Sequence, residues 1–539
     1  VTSPLRTAVQ EWLSHDPDPA SAAELAACTD DELAERFTGS LTFGTAGLRG
    51  PLRAGPNGMN LAVVLRATWA VARVLTDRTL GGSRVVVGYD ARHRSAEFGR
   101  AAAEVLSAQG FSVTLMPCAV PTPAVAFAVR TTGAAAGVQI TASHNPPQDN
   151  GYKVYFAGGL QIVSPTDRDI EHAIASAPPA DEIPLRPVDT SGIDLLRAYA
   201  ERAATVRRTT GTARIALTPM HGVGGEFALD ALALAGFDDV HVVERQFAPD
   251  PDFPTVAFPN PEEPGASDEL TALAAAVDAD IAIALDPDAD RCAIGVPTPH
   301  GWRMLSGDET GWLLGDYLLS QGDNTHAVVA STVVSSRMLA AIAVERGARH
   351  VETLTGFKWL ARADDGMEDA ALLYAYEEAI GHCVDPEAVR DKDGISAAVL
   401  AADLVVALRN RGLTVLDALD DLARRHGVHS TSAVTRRVDS PQDAAALMER
   451  LRAAPPAQIA GFPVTVADLA ATDLAARTDA LVFTGGNDTT SVRVVTRPSG
   501  TEPKLKSYIE IRCSGELAAA RARAARVQDT VAAAVRAWP

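Results

Sequence analysis

The sequence predicts an α/β protein of three similar domains followed by a C-terminal α+β domain, and three observations predict it. At 539 residues the chain is too long for one hydrophobic core and points to roughly four domains. A helix, a glycine and a strand recur three times: residues 106–111 before 113–115, 232–237 before 240–243, and 344–348 before 350–354. Gly110, Gly236 and Gly347 stand where each helix should stop, as a left-handed C-terminal cap requires, and their regular recurrence reads as a repeated unit. After Arg425-His426-Gly427 the pattern changes to alternation over residues 430–438 and a closing helix over 517–538. The domains are expected at 1–205, 206–322, 323–428 and 429–539.

Taken in order, residues 1–38 alternate short helical patterns with Asp/Pro turns and read as a helical lead-in to the first domain. Residues 41–50 hold Gly44, Gly47 and Gly50 among small polar residues, with Arg49 able to fork onto an anion. A plain hairpin explains that stretch equally well. Helix is expected over 61–76, strand over 84–90, helix over 95–109, strand over 112–116, helix over 123–130 and strand over 135–140. The second unit opens with a strand at 213–218, and the third at 326–331.

Composition narrows the function. Apolar residues make up 47% and charged residues 22%, ordinary for a soluble globular protein. The net charge of −20 argues against nucleic acid as a partner and requires any pocket for an anionic substrate to reverse the sign of its surroundings. The longest apolar run, over 396–408, carries Asp403, so no membrane span is expected. The start of the chain shows no basic region followed by an apolar core, so no signal peptide is expected. Five scattered cysteines without a CxxC fit reduced thiols in a cytoplasmic protein. Only five of the 48 basic residues are lysine: Lys153, Lys358, Lys392, Lys504 and Lys506. In a chain so biased towards arginine, the lysines that remain should mark positions needing a compact ammonium.

Five stretches carry chemistry. Thr141-Ala142-Ser143-His144-Asn145-Pro146 follows an apolar strand and precedes turn formers, which puts Ser143 on a tight loop at a strand's carboxyl end as a candidate nucleophile. Lys153 follows ten residues later, either folded back as a proton carrier or on the surface of the next strand. Asp286-Pro287-Asp288-Ala289-Asp290-Arg291 sets carboxylates at i, i+2 and i+4 after a strand. Two unit charges 4 Å apart repel by about 4 kcal/mol at an effective dielectric of 20, so a cation between them is expected. Oxygen ligands suit Mg²⁺ or Ca²⁺, and three leave room for a phosphate oxygen. A solvated acidic turn is the alternative. Gly356-Phe357-Lys358 places a rare lysine after a strand, and Glu377-Glu378-Ala379-Ile380-Gly381-His382 offers a carboxylate to hydroxyls and an imidazole to a phosphate or proton. Finally, Arg497-Pro498-Ser499-Gly500-Thr501-Glu502-Pro503-Lys504 makes a cup of donors suited to a nonreacting phosphate, with a polar surface turn as the alternative.

With these motifs in this order, from about residue 43 to 512, the chain resembles the α-D-phosphohexomutase superfamily of phosphoglucomutases and phosphomannomutases. The resemblance implies three mixed-sheet domains and a fourth around a central cleft, each contributing a loop. It implies that Ser143 carries a phosphoryl group, and that its phosphate with Asp286, Asp288 and Asp290 holds Mg²⁺. Phosphorylated Ser143 gives its phosphoryl to a sugar monophosphate, and the resulting bisphosphate, such as glucose 1,6-bisphosphate, turns over and returns the other one. Lys153 and Arg49 lie near the transferring group, with Lys153 or His144 as acid/base. Arg291, Gly356, Lys358, Glu378 and His382 meet the sugar end, and Arg497, Ser499, Gly500, Thr501 and Lys504 the distal phosphate. Ile380 replaces a serine common in that family, and Asp391-Lys392-Asp393-Gly394 resembles the branch of phosphopentomutases and glucose-1,6-bisphosphate synthases. Aldohexose phosphates lead as substrates, with ribose or deoxyribose phosphate second. A metal-dependent sugar phosphatase is the alternative of another class. A monomer or homodimer is expected.

Overall fold

The computed structural model describes residues 3–43, 47–472, 477–499 and 504–538. They form two compact units, one of residues 1–304 and 381–403, the other of 305–380 and 404–539.

The first unit holds two mixed sheets built to one plan. In the first sheet Arg84–Tyr89 runs parallel to both Ser112–Leu115 and Ala136–Ile140. The chain then reverses, and Asp149–Phe156 pairs antiparallel with Ala136–Ile140 and with Leu48–Pro51. The second sheet repeats this: Ile215–Thr218 is parallel to Val240–Val242 and Ile281–Leu285, and Cys292–Thr298 returns antiparallel. Strands flanked by helices on both faces are apolar along their whole length. Ala136–Ile140 and Ile281–Leu285 are accordingly buried at every position.

The helix Leu61–Asp77 shows how the sequence positions these layers. Asn60 caps it by accepting from the Val63 N–H at 3.0 Å. Val64, Thr68, Val71 and Leu75, at helical spacing, are buried at 1% exposure or less against the sheet residues Val85, Val87 and Val138. Burying one such aliphatic side chain contributes about 1.5–3 kcal/mol.

The three recurring glycines close their helices identically. Gly110, Gly236 and Gly347 have φ of 91°, 83° and 75°. The helices Ser95–Ala108, Gly224–Leu234 and Met338–Arg346 each end with paired bonds, of which Phe111 N–H to Leu106, Phe237 N–H to Leu232 and Ala348 N–H to Ala343 reach five residues back. These are Schellman caps, and a side chain at the glycine would strain each one.

The second unit contains a sheet in which Ala327–Thr332 lies between Arg349–Thr353 and Ala371–Glu377 and runs parallel to both. Its other sheet is antiparallel throughout, in the order Val428–Arg437, Lys504–Cys513, Thr490–Pro498, Leu481–Asn487, Phe462–Asp468, Gln458–Ile459. The helix Leu517–Arg536 buries Ala520, Ala524 and Val531 against it. The α/β reading with a distinct C-terminal domain therefore holds. The expected turn after Pro147 is shorter than the sequence implied, because Asp149 already pairs with Pro51.

Candidate active site

Ser143 follows the strand Ala136–Ile140, and its φ of 52° places a non-glycine residue in the left-handed region. Two sets of bonds hold it there. Its N–H donates to Thr141 Oγ1 at 2.8 Å. The Arg92 guanidinium donates to the carbonyls of Ser143 at 2.7 Å, Pro146 at 2.7 Å and Asp149 at 3.1 Å, and also to that of Asn145. Arg92 is buried, lies 3.5 Å from Asp90 and covers the Phe253 ring at 5.0 Å. One planar cation thus fixes the loop through four of its own carbonyls.

Asp286, Asp288 and Asp290 follow the strand Ile281–Leu285 and are all completely buried. Gly222 packs against their loop so closely that a Cβ there would lie 2.4 Å from Pro287 Cα. Ser143 Oγ donates to Asp286 Oδ2 at 2.7 Å, and the Arg291 N–H to Asp286 Oδ1 at 3.0 Å. Thr122 Oγ1 donates to Asp288 Oδ2 at 2.5 Å. Lys153 Nζ donates to Asp288 Oδ2 at 2.7 Å and to Asp290 Oδ2 at 2.8 Å, and Lys392 Nζ lies 3.3 Å from Asp290 Oδ2. The Arg291 Nε is 3.8 Å from Asp290 and 4.0 Å from Asp286. Arg49 Nη1 donates to Asn145 Oδ1 at 2.9 Å.

These charges shift one another. Burial pushes the Asp286 carboxyl well above its ordinary value, and Asp288 and Asp290 push it further. Burial acts against Asp288 too, but Lys153 outweighs it and holds that carboxyl down. Burial disfavours the Lys153 ammonium, yet Asp288 and Asp290 raise its pKa overall. His144 Nδ1 lies 3.3 Å from Ser143 Oγ, and burial, then Arg291 and Arg49, hold its imidazole well below the usual value. The solvated-turn reading of the acidic loop and the surface reading of Lys153 both fail on burial. The lysine does fold back, but onto the carboxylates.

The three aspartates fit a hard divalent cation. One oxygen from each lies within 4.8 Å of the others, and among the described residues this is the one such cluster. Asp288 Oδ1 and Asp290 Oδ1 are buried without a hydrogen-bond partner, a costly arrangement unless a cation takes their lone pairs.

His382 belongs to the same unit and is 1% exposed. Its carbonyl accepts from the Asp393 N–H at 2.8 Å, and burial pushes its imidazole down to about 3, so it offers a neutral ring.

The remaining site residues lie in the second unit. Glu378 Oε2 accepts from Thr332 Oγ1 and Ser335 Oγ, both at 3.1 Å. Gly356 has φ of 106° and precedes the short helix Phe357–Leu360 that carries Lys358. Arg497 is the penultimate residue of the strand Thr490–Pro498, and burial, then the charge of Glu378, raise the pKa of the Tyr508 hydroxyl on the neighbouring strand. The Ser499 N–H donates to the Lys504 carbonyl at 2.8 Å, closing the base of the loop. Gly500 and Thr501 lie outside the described residues, as do Gly44 to Ala46.

Sequence reasoning passed over Arg92, Thr122 and the contact of Lys392. The scarcity of lysine was the available signal for Lys392. Nothing in the spacing marks Arg92 or Thr122, which come from other loops.

Three family descriptions match the chain: phosphoglucomutase/phosphomannomutase alpha/beta/alpha domain I over residues 40–180, domain II over 196–300 and domain III over 306–426. The chain therefore belongs to the phosphoglucomutase/phosphomannomutase family of phosphotransferase isomerases. It is 40% identical over 464 residues to a Haemophilus influenzae protein named "Probable phosphomannomutase", spanning 84% of this chain and 93% of that one. It is 39% identical over 464 residues to a Mus musculus phosphopentomutase, spanning 78% and 74%. A phosphoglucomutase/phosphomannomutase family protein from Burkholderia thailandensis superposes with a TM-score of 0.70 over 92% of this chain and 97% of that one. At 21% identity it speaks for the fold. These names give no support to a sugar phosphatase.

Proposed function

We propose that this protein interconverts aldose 1-phosphates and 6-phosphates of glucose, mannose or both through a phosphorylated Ser143 and a sugar bisphosphate. The observation that carries the reading is Ser143 Oγ 2.7 Å from Asp286 Oδ2, at the edge of a buried three-carboxylate cluster. A hydroxyl there is placed to carry a phosphoryl group beside the carboxylates that would hold a metal ion. Asp286, Asp288 and Asp290 would hold Mg²⁺, which when bound supplies charge neutralisation to the transferring phosphoryl group.

In the forward half-reaction the bond between Ser143 Oγ and phosphorus breaks as a sugar hydroxyl oxygen bonds to phosphorus. The sugar hydroxyl's proton passes to the neutral His144, which lies beside Ser143 Oγ and returns it to that oxygen as it leaves. Lys153, engaged by two carboxylates, serves instead as fixed positive charge. Arg49 and Arg291 add charge around the same group. The bisphosphate then presents its other phosphate, and the steps reverse onto Ser143. Glu378 reads sugar hydroxyls, His382, Gly356 and Lys358 assist at the sugar end, and Arg497, Ser499, Gly500, Thr501 and Lys504 hold the distal phosphate. A bisphosphate such as glucose 1,6-bisphosphate primes the enzyme.

A second reading, a phosphopentomutase acting between the 1- and 5-positions of ribose or deoxyribose, is favoured by the near-equal similarity to a phosphopentomutase. The four domain spans 1–205, 206–322, 323–428 and 429–539 and a cytoplasmic monomer or homodimer complete the proposal. Among the described residues no helix is long and apolar enough to cross a membrane.

The test is a panel of glucose, mannose, glucosamine, ribose and deoxyribose 1-phosphates with Mg²⁺ and catalytic bisphosphate. Isomerisation of at least one is expected. Free phosphate released without isomerisation would sink the mutase reading.

A further inference from the structure

The loop 332–337, between the strand Ala327–Thr332 and the helix Met338–Arg346, touches the proposed sugar-reading carboxylate on one side and the C-terminal sheet on the other. Thr332 Oγ1 and Ser335 Oγ donate to Glu378 Oε2. The next residue turns the other way: Ser336 Oγ donates to Glu510 Oε1 at 2.6 Å, and the Arg337 N–H joins it at 2.9 Å. His429 Nδ1 lies 2.7 Å from the same oxygen, and the Arg337 Nε is 3.6 Å from Oε2. The Ser336 N–H is held in turn by Asp308 Oδ1 at 2.8 Å, which also accepts from the Tyr376 hydroxyl at 2.9 Å. Ser336, Asp308 and Glu510 are all buried.

Glu510 sits on the strand Lys504–Cys513, which leaves the distal-phosphate loop. Alternate residues of a strand share a face, so Lys506, Tyr508 and Glu510 point the same way. That strand pairs antiparallel with Thr490–Pro498, which carries Arg497, and Val333 and Val334 pack with Val495 and Tyr508 in one apolar cluster. The spacing between Glu378 and Arg497 is therefore set through two adjacent serines and one buried carboxylate. A 6-phosphate and a 5-phosphate differ by one carbon in the span from sugar hydroxyls to phosphate, and that span is what this clamp holds.

We propose that Glu510, acting through Ser336, is a positioning residue that fixes Glu378 relative to Arg497 and so helps select the length of the sugar phosphate turned over. This rests on the mutase reading and on the roles it gives those two residues. Neither Glu510 nor Ser336 touches substrate in it.

The experiment compares wild type, Glu510→Gln, Ser336→Ala and the double variant on glucose 1-phosphate and ribose 1-phosphate, with phosphorylation of the protein followed by intact mass. Glu510→Gln keeps the shape and removes the charge. It should raise KM for the preferred sugar phosphate about tenfold, with kcat within about threefold. It should also change the ratio of kcat/KM values between the two sugars about fivefold or more, with phosphorylation unaltered. Ser336→Ala, which removes one hydroxyl, should move KM and the ratio in the same direction. The double variant should show less than the product of the two effects, because both substitutions break one link.

Unchanged KM and unchanged sugar ratio in folded Glu510→Gln or Ser336→Ala would overturn the proposal. So would independent, multiplicative effects in the double variant. If Glu510→Gln fails to fold, Ser336→Ala carries the same decision. A wild type that isomerises neither sugar phosphate defeats the mutase reading and this proposal with it, an outcome distinct from failure of the clamp alone.

Discussion

Ser143 Oγ donates to Asp286 Oδ2 at 2.7 Å across 143 positions of sequence, joining the first sheet's loop to the second sheet's acidic turn. Each partner explains the other: the carboxylate cluster needs positive charge, and the hydroxyl is placed where a phosphate would share that charge. Replacing Ser143 by Ala should abolish phosphorylation of the protein by intact mass and lower kcat by about 10³-fold or more. Near-normal turnover by that variant would falsify the assignment.

Asp288 differs from its neighbours in bonding both Thr122 and Lys153. Asp288→Asn should raise the Mg²⁺ concentration for half-maximal activity about tenfold or more. In wild type, Mg²⁺ at a hundred times its dissociation constant should stabilise the fold by about 2.7 kcal/mol, read as a rise in Tm, and chelation should remove it. The variant should lose most of that rise. Equal Mg²⁺ responses in the two proteins would mean that the acidic loop is only a turn.

Arg92 organises the serine loop through the four carbonyls it donates to. Removing its charge leaves Asp90 buried and four carbonyls without their donor. Arg92→Ala should cost about 3–5 kcal/mol in urea unfolding, while Arg92→Lys, unable to reach four acceptors, should recover only part. A loss below about 1 kcal/mol in Arg92→Ala would contradict the clamp.

Asp308 supplies a pH dependence. Burial is the main cause that raises its pKa from 3.8 to about 7, with Glu378 and Glu510 adding to it. Between those values the folded protein keeps a proton that the unfolded chain releases. Stability is thus whole below about pH 4 and falls as pH rises through about 7, by at most about 1.4 kcal/mol per pH unit. Asp308→Asn keeps an acceptor for Ser336 and Tyr376 and should flatten this slope in chemical denaturation series. An unchanged slope would rule Asp308 out as its source.

Much of this was legible in the sequence because it rests on local rules. The glycines at 110, 236 and 347 announce their caps, and the spacing of Asp286, Asp288 and Asp290 announces convergence on one point. What escaped is tertiary. Arg92 reads as one arginine among many until four carbonyls turn towards it. Lys153 was noticed for its rarity, but its partners Asp288 and Asp290 follow a strand of another sheet, so spacing from Ser143 could not show them. Glu510 looks like an ordinary strand residue, and only packing reveals that its carboxylate is buried against Ser336 and His429.

The unit that carries Ser143 also includes residues 381–403, which the chain supplies only after beginning the second unit. A ribosome that has released residue 304 has delivered Tyr155, Gln161, Tyr199, Arg208 and Thr209, but not their partners. Asp391 accepts from Tyr155 at 2.8 Å and Gln161 at 2.7 Å, Asp393 from Tyr199 at 2.7 Å, and Asp403 from the N–H groups of Arg208 and Thr209 at 2.9 Å. Until those aspartates emerge, these donors lack the carboxylates they bond in the finished unit. Co-translational completion of this unit thus waits on a segment that begins only at residue 381, and a nascent chain cut before it would be left open to proteases and chaperones.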